Sequence, residues 1–388
     1  MTHFAKVTAA LAALAASPAL AQSVTDDTIN LGILTDLSGP VAIYGSESLN
    51  GLRMAIDEIN GAGGIHGRKV NLVVEDHSYD PKKAVLAANK MITRDEVFAI
   101  VGHLGTATNM AVMPLLLENK VFNIMPQGAS PGLYEPASPY KMAMAPSYAD
   151  AAAASLVWAF EELKPNHLCA LYQDDDFGRS SLAGVEAFSE AKGVEIVEAT
   201  SYKRGATDFS SQIQRLSAAD CDFVYNASTL REFVGSVTEA RKIGYDPIFL
   251  GTLSNYAIQV PALGGEAMEG VYAAAFIPIP YADDPNPAVA EWVAKYTDSF
   301  GEAPGLYSMF AYYAMQVFAA VAENAGADLT PESFAASANE TELPVDALGN
   351  PAFNISEDDR LSNRQVRITR VANGKWENVT DLLPARDF

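Results

Sequence analysis

The sequence predicts an α/β protein made of two similar lobes, each a parallel sheet covered by helices on both faces. Three observations carry this expectation. Apolar strand-like runs alternate with helix-length amphipathic segments along most of the chain. A short pattern recurs: Tyr44-Gly45, three residues, Leu49, one residue, Gly51 is echoed by Phe177-Gly178, three residues, Leu182, one residue, Gly184. Finally, 388 residues with 49% hydrophobic composition suffice for a large core split into two domains.

The elements follow in order. The run INLGIL (29–34) reads as a strand, and residues 46–60 as a helix with Leu49, Leu52, Ile56 and Ile59 on one face. Gly61 is expected to stop that helix in a left-handed cap. KVNLVVED (69–76) alternates as a strand, and Asp80-Pro81 opens a helix as N-cap plus first-turn proline. VFAIVG (97–102) is a buried strand, 107–119 a helix and VFNIM (121–125) another strand. The second stretch repeats the plan from HLCALY (167–172) onward, with helices at 231–243, 288–300 and 309–324 and strands in IFLG (248–251) and GVYAAAF (270–276). QVRITRVANGKWENV (365–379) is a hairpin turning at Asn373-Gly374, a pair suited to a type I′ turn.

Each copy of the repeat follows an apolar strand ending in Asp: Asp36 in the first, Asp174 to Asp176 in the second. This puts Tyr44 and Phe177 in loops beyond the carboxyl ends of strands, where open parallel sheets hold ligands. Two facing lobes would bring both aromatics over one ligand; otherwise each plugs the core of its own lobe. The stretch VGHLGTATN (101–109) runs from a buried strand into a helix start and carries the hydroxyls of Thr106 and Thr108. Free N–H groups and small side chains at a helix N-terminus suit an anion.

Composition and motifs exclude several functions. The formal charge of −22 makes nucleic acid and anionic membranes poor partners. GAGGIHG (61–67) follows a helix rather than a strand, so it is a turn and not a dinucleotide fingerprint. The five histidines show no metal-ligand spacing, there is no C-x-x-C, and no G-x-S-x-G elbow occurs. Asp174-Asp175-Asp176 reads as a solvated helix start more readily than as a calcium site. No cofactor, metal or catalytic constellation is expected, and the chain reads as a binder, not an enzyme. Cys169 and Cys221 are either paired or two buried free thiols. Residues 1–21, with Lys6, a short apolar run and Ala19-Leu20-Ala21 before Gln22, read as a cleaved secretory signal peptide. Export to the bacterial periplasm follows.

LSGPVAIYG, GLRMAIDEINGAGGIHGRKV, DPKKAVLAANKMI, VGHLGTAT, DFGRSSLAGVEAF and VANGKW together resemble the bacterial leucine/isoleucine/valine-binding protein family. These are type I periplasmic solute-binding proteins that feed ABC importers. The resemblance implies two Rossmann-like lobes joined by three crossover segments and closing by a hinge on a cleft. Lobe one would span 27–147 and 279–345, and lobe two 148–278 and 346–388. It implies a small-molecule ligand, with permease and ATPase subunits as partners, and a monomer is expected. By the family's pattern Tyr44 is the aromatic of the first loop, Thr106 the hydroxyl on the ligand's carboxylate, and Gln127 and Ala129 the next contacts. Phe177 and Thr229 stand where tyrosines are usual, and Leu253 where amino-acid binders place the glutamate that pairs with the ammonium. A buried ammonium without a carboxylate costs several kcal/mol. These departures favour an ammonium-free aromatic or aliphatic acid, or an amide, over an amino acid. The alternative function is a ligand-sensing receptor subunit of the same fold.

Overall fold

The structure, a computed structural model, describes residues 23–385; the predicted signal peptide lies outside them. The first sheet is built from β1 (Thr28–Thr35), β2 (Lys69–Asp76), β3 (Ala99–Val101), β4 (Phe122–Ile124) and β5 (Lys141–Met142). Between them run α1 (Ala42–Gly61), α2 (Pro81–Thr93) and α3 (Thr106–Glu118). After α4 (Tyr148–Glu162), the second sheet takes β6 (Leu168–Gln173), β7 (Ile196–Tyr202), β8 (Phe223–Ala227), β9 (Ile248–Gly251) and β10 (Tyr272–Ala275). Its helices are α5 (Asp176–Lys192), α6 (Ser210–Ala218), α7 (Leu230–Lys242) and α8 (Gln259–Gly264). The chain then returns to the first sheet with α9 (Pro287–Phe300), α10 (Leu306–Asn324) and α11 (Pro331–Glu340), and ends on the second with β11 (Gln365–Ala372), β12 (Lys375–Asn378) and β13 (Leu383–Pro384).

Both sheets are wound alike. The first has the order β2-β1-β3-β4-β5, all parallel. The second has β7-β6-β8-β9-β10, also parallel, extended by antiparallel β11 and β12. Central strands β3, β4 and β8 are buried at every residue, as strands covered on both faces must be. Asn373 and Gly374 both take positive φ, so the β11–β12 hairpin turns where the type I′ pair predicted.

The sequence repeat has a steric cause. A Cβ on Gly45 would stand 1.8 Å from the Asp36 carbonyl, and one on Gly178 would stand 1.9 Å from the Gln173 carbonyl. The second glycine of each copy lets a helix approach its neighbour: Gly51 faces the Ser308 carbonyl at 2.0 Å and Gly184 the Ala149 carbonyl at 2.2 Å. Helix α10 therefore packs on α1 as α4 packs on α5.

Three expectations are corrected. Helix α1 begins at Ala42 rather than at 46, so Tyr44 lies in its first turn. The Asp36 carboxylate accepts from the Ser38, Gly39 and Val41 N–H groups and ties down the incoming loop, which permits the early start. Phe177 likewise lies in the first turn of α5, capped by Asp175. Gly61 carries no left-handed cap: Ala62 stays right-handed and the reversal falls on Gly63 and Gly64. Gly64 is the one squeezed, with the Arg68 carbonyl 2.0 Å from where a Cβ would stand.

The chain passes between the sheets three times, and one buried side chain ties the third passage to the first. Arg360 donates to the carbonyls of Lys141, Pro139 and Ser356 and to the Asn339 amide oxygen. Burial lowers its pKa to about 10.

Cys169 on β6 and Cys221, just before β8, are joined in a disulfide across neighbouring strands, which decides the alternative left open above. A 52-residue separation gives a disulfide about 4 kcal/mol of stabilisation in the chain-entropy model. The double Cys→Ala variant should therefore unfold several degrees lower, and thiol titration of the unfolded wild-type protein should find no free thiol. Two titratable thiols would contradict the pairing.

His77 and His103 are fully buried beside the loop that leads into α3, with ring centroids 5.6 Å apart. His77 Nδ1 accepts from the Tyr79 N–H while Nε2 faces the Leu104 carbonyl at 3.0 Å, which fixes a neutral tautomer. Desolvation is the main cause that lowers its pKa to about 4. A histidine depressed on folding contributes stability that is lost as pH falls from the unfolded value near 6.5 through about 4. Glu47, raised by burial to about 7, acts with the opposite sign and destabilises as pH rises above the ordinary carboxylate range. Comparing wild type with His77→Gln cancels Glu47. Urea unfolding should show wild type losing about 3 kcal/mol relative to the variant between pH 6.5 and pH 4; parallel profiles would contradict the neutral buried ring.

Candidate functional site

The matched winding sets out the site. Each sheet has its switch point between the first strand and the third (β1/β3 and β6/β8), and the segments beyond the strand ends face each other there. Beyond β1 and β6 stand Tyr44 and Phe177. Beyond β3 and β8 stand Thr106 and Thr229, at the starts of α3 and α7. Gln127 and Ala129 follow β4, and Leu253 follows β9 in a single 3₁₀ turn. All seven predicted residues line one cleft with two adjoining compartments, separated by Gln127, Tyr148, Ser254 and Tyr307, which face both.

The first compartment is an aromatic box. Tyr44 stacks on Tyr307 with centroids 4.1 Å apart, and Phe177 packs edge-on to Tyr148 at 4.9 Å. Phe177 thus belongs both to the core and to the cleft wall, so the two readings of this residue are not exclusive. Burial raises the pKa of Tyr44 and Tyr307, so both phenols stay protonated. The second compartment is apolar, with Leu253, Phe276, Leu306 and Phe310 around Ala129. No Asp, Glu, Lys, Arg or His lines either compartment among the described residues.

The polar features are few and specific. Helix α3 begins after Gly105, whose φ of +97° and missing side chain leave the first turn uncapped. By contrast Asp80, Ser147 and Asp175 each cap their own helix with a side-chain oxygen. Thr106 lies at this uncapped start, 1% exposed; its hydroxyl makes no bond to the backbone, and its polar side-chain neighbour is the Tyr148 phenol. Thr108 is spent differently: its hydroxyl bonds back to the Leu104 and Gly105 carbonyls. Asp175, the centre of the acidic run, caps α5 and pairs with Arg204 at 2.6 Å.

Contacts across the cleft join the lobes. The Tyr44 hydroxyl donates to the Ser254 carbonyl at 2.7 Å. Gln259 on α8 donates to the buried Glu47 carboxylate on α1. Arg204, beyond β7, donates to the Tyr79 carbonyl at 2.9 Å and lies 4.9 Å over the Tyr79 ring, beyond β2. The cleft in this structure is therefore closed. Tyr79, Tyr148, Ser254, Phe276, Tyr307 and Phe310 were missed in the sequence. The strand-end rule locates Tyr79 and Tyr148, whereas Tyr307 and Phe310 arrive from a helix far along the chain with no local signal.

Comparison with known proteins agrees with this geometry. The model of the periplasmic binding protein family matches residues 28–375. The leucine-, isoleucine-, valine-, threonine-, and alanine-binding protein of Pseudomonas aeruginosa is 28% identical over 342 residues, 87% of this chain and 90% of that one. The leucine-specific-binding protein of Salmonella typhimurium is 29% identical over 301 residues, covering 78% of this chain and 80% of that one. A fatty acid ABC transporter substrate-binding protein from Thermomonospora curvata superposes with a TM-score of 0.82 at 25% identity, over 94% of each chain. With two matched lobes around a cleft that no charged side chain lines among the described residues, the chain belongs to the periplasmic binding protein family, among the leucine/isoleucine/valine-binding proteins, which are solute-binding proteins of ABC transport.

Proposed function

We propose that the cleft binds a small monocarboxylic acid with an apolar body and no ammonium group, and delivers it to the permease and ATPase subunits of an ABC importer. The observation that carries this reading is the uncapped start of α3, with the buried Thr106 hydroxyl beside it and only the Tyr148 phenol near that hydroxyl. Backbone N–H groups, the positive end of the helix and that hydroxyl together suit a carboxylate. Tyr44 and Phe177 sandwich the ligand, while Gln127, Ala129 and Leu253 border its apolar body and Thr229 its far side. Leu253, with no carboxylate lining the cleft among the described residues, leaves an ammonium without a counter-charge there. Relatives named for leucine and valine and a neighbour named for fatty acids have one chemistry in common, a carboxylate head on an apolar body.

The hinge lies in the three crossovers, with lobe boundaries near residues 147, 278 and 345. The mature chain begins at Gln22 in the periplasm and works as a monomer.

Calorimetry tests the assignment. Thr106→Val keeps the volume and removes the donor; a hydrogen bond to a charged group contributes roughly 1.5–3 kcal/mol, so affinity for a carboxylic acid should fall about ten- to a hundredfold. Unliganded stability should change little, because the hydroxyl makes no bond to the backbone and faces only the Tyr148 phenol. In the wild type, 4-methylpentanoate should bind at least as tightly as leucine. An amino acid preferred by more than tenfold would overturn the ammonium-free reading.

A further inference from the structure

Thr106 and Thr229 hold equivalent places in the two lobes, each at the start of the helix that follows the third strand. Their hydroxyls are in opposite states. That of Thr106 faces only the Tyr148 phenol, within the cleft itself, whereas that of Thr229 donates to the carboxylate of Glu232. Resting on the monocarboxylate reading above, we propose that Thr229, oriented by Glu232, is a hydrogen-bond acceptor subsite that selects a carboxylic acid bearing a hydroxyl group.

The argument starts from the count of protons. A threonine hydroxyl has one proton and two lone pairs. Thr229-Leu230-Arg231-Glu232 has the spacing of a capping box, in which the threonine oxygen would accept from the helix backbone. The structure shows no such cap bond; the hydroxyl turns its proton to the Glu232 side chain instead. Glu232 is 1% exposed, sits in the first turn of α7 and forms no ion pair among the described residues. Burial raises the pKa of Glu232, while the Thr229 hydroxyl, the exposed Arg231 beside it and a backbone N–H from Gly205 favour the charged carboxylate. With its proton held behind the wall, Thr229 has only lone pairs left for the cleft it lines.

The charge of Glu232 is felt inside the cleft as well. After burial itself, it is the largest influence that raises the pKa of Tyr44 on the opposite lobe. The two ends of the site are therefore of opposite polarity: donors at Thr106 and the start of α3, an acceptor backed by negative charge at Thr229. A second carboxylate at the Thr229 end would face Glu232 with no cation in the lining. An ammonium would bring three N–H donors to one hydroxyl oxygen with two lone pairs and leave at least one of them unsatisfied at this subsite. A hydroxyl brings one donor, which the subsite can take. Sites built to hydrogen-bond a ligand hydroxyl discriminate strongly against the analogue that lacks it.

The test uses matched acids on the full mature chain: 4-methylpentanoate against 2-hydroxy-4-methylpentanoate, benzoate against 4-hydroxybenzoate, and leucine. Titration calorimetry should find one hydroxylated acid bound at least tenfold more tightly than its parent. Thr229→Val should abolish that preference, so that each hydroxylated acid and its parent bind within about threefold of each other. Glu232→Gln, which keeps the shape and returns rotational freedom to the threonine proton, should reduce the preference without abolishing parent-acid binding. Equal binding within both pairs, or a preference that survives Thr229→Val, would overturn the acceptor subsite and leave the carboxylate site standing. Leucine bound more tightly than either acid of its pair would make Glu232 a counter-charge and overturn both readings. No binding of any of these acids would overturn the carboxylate site itself.

Discussion

The close passage of a helix over the end of its strand is the constraint on which the rest of this molecule depends. Only a residue without a side chain can stand where Gly45 faces the Asp36 carbonyl and Gly178 the Gln173 carbonyl. Because α1 and α5 can start there, Tyr44 and Phe177 sit in first turns and project over the strand ends rather than hanging in loops. Gly51 and Gly184 continue the close packing one turn and a half further on, against α10 and α4. Packing of α10 on α1 brings Tyr307 against the Tyr44 ring, and the start of α4 brings Tyr148 against Phe177. Four aromatics of the cleft are thus set by four glycines.

The second consequence is electrostatic. A cleft without a charged lining, between lobes of a chain with net charge −22, has little attraction for an ion except where backbone dipoles converge. The charges near the mouth are committed elsewhere: Arg204 to Asp175 and Tyr79, and Glu47 to Gln259 and the Tyr307 N–H. These groups join the two lobes, so they act on closure rather than on the ligand's identity. Within the first lobe, His77 ties the end of β2 to the loop that carries Thr106.

Much of this was legible in the sequence, and the reasons are local. Strand and helix alternation, the Asp80-Pro81 helix start and the Asn373-Gly374 turn depend on neighbours within a few residues, and each appears as expected. The echo around Tyr44 and Phe177 was visible because sterics demand the same glycines twice. The early starts of α1 and the reversal at Gly63 and Gly64 were not legible, because they depend on what Asp36 and Arg68 do from outside the helix. The pairing of Cys169 with Cys221 required knowing that β6 and β8 are neighbours. Glu232 was hidden for a different reason: a threonine followed three residues later by glutamate reads as a helix cap, and only the hydrogen-bond direction reveals another use.

The central claim is that this closed cleft is the liganded form, held shut around a small acid by contacts such as Tyr44 to Ser254. Small-angle X-ray scattering of the mature protein, with and without saturating 4-methylpentanoate, tests it most directly. The account predicts a larger radius of gyration in the free protein and, with the acid, a curve that matches the closed arrangement described above. A free protein whose curve already matches the closed form and does not change on saturation would contradict it.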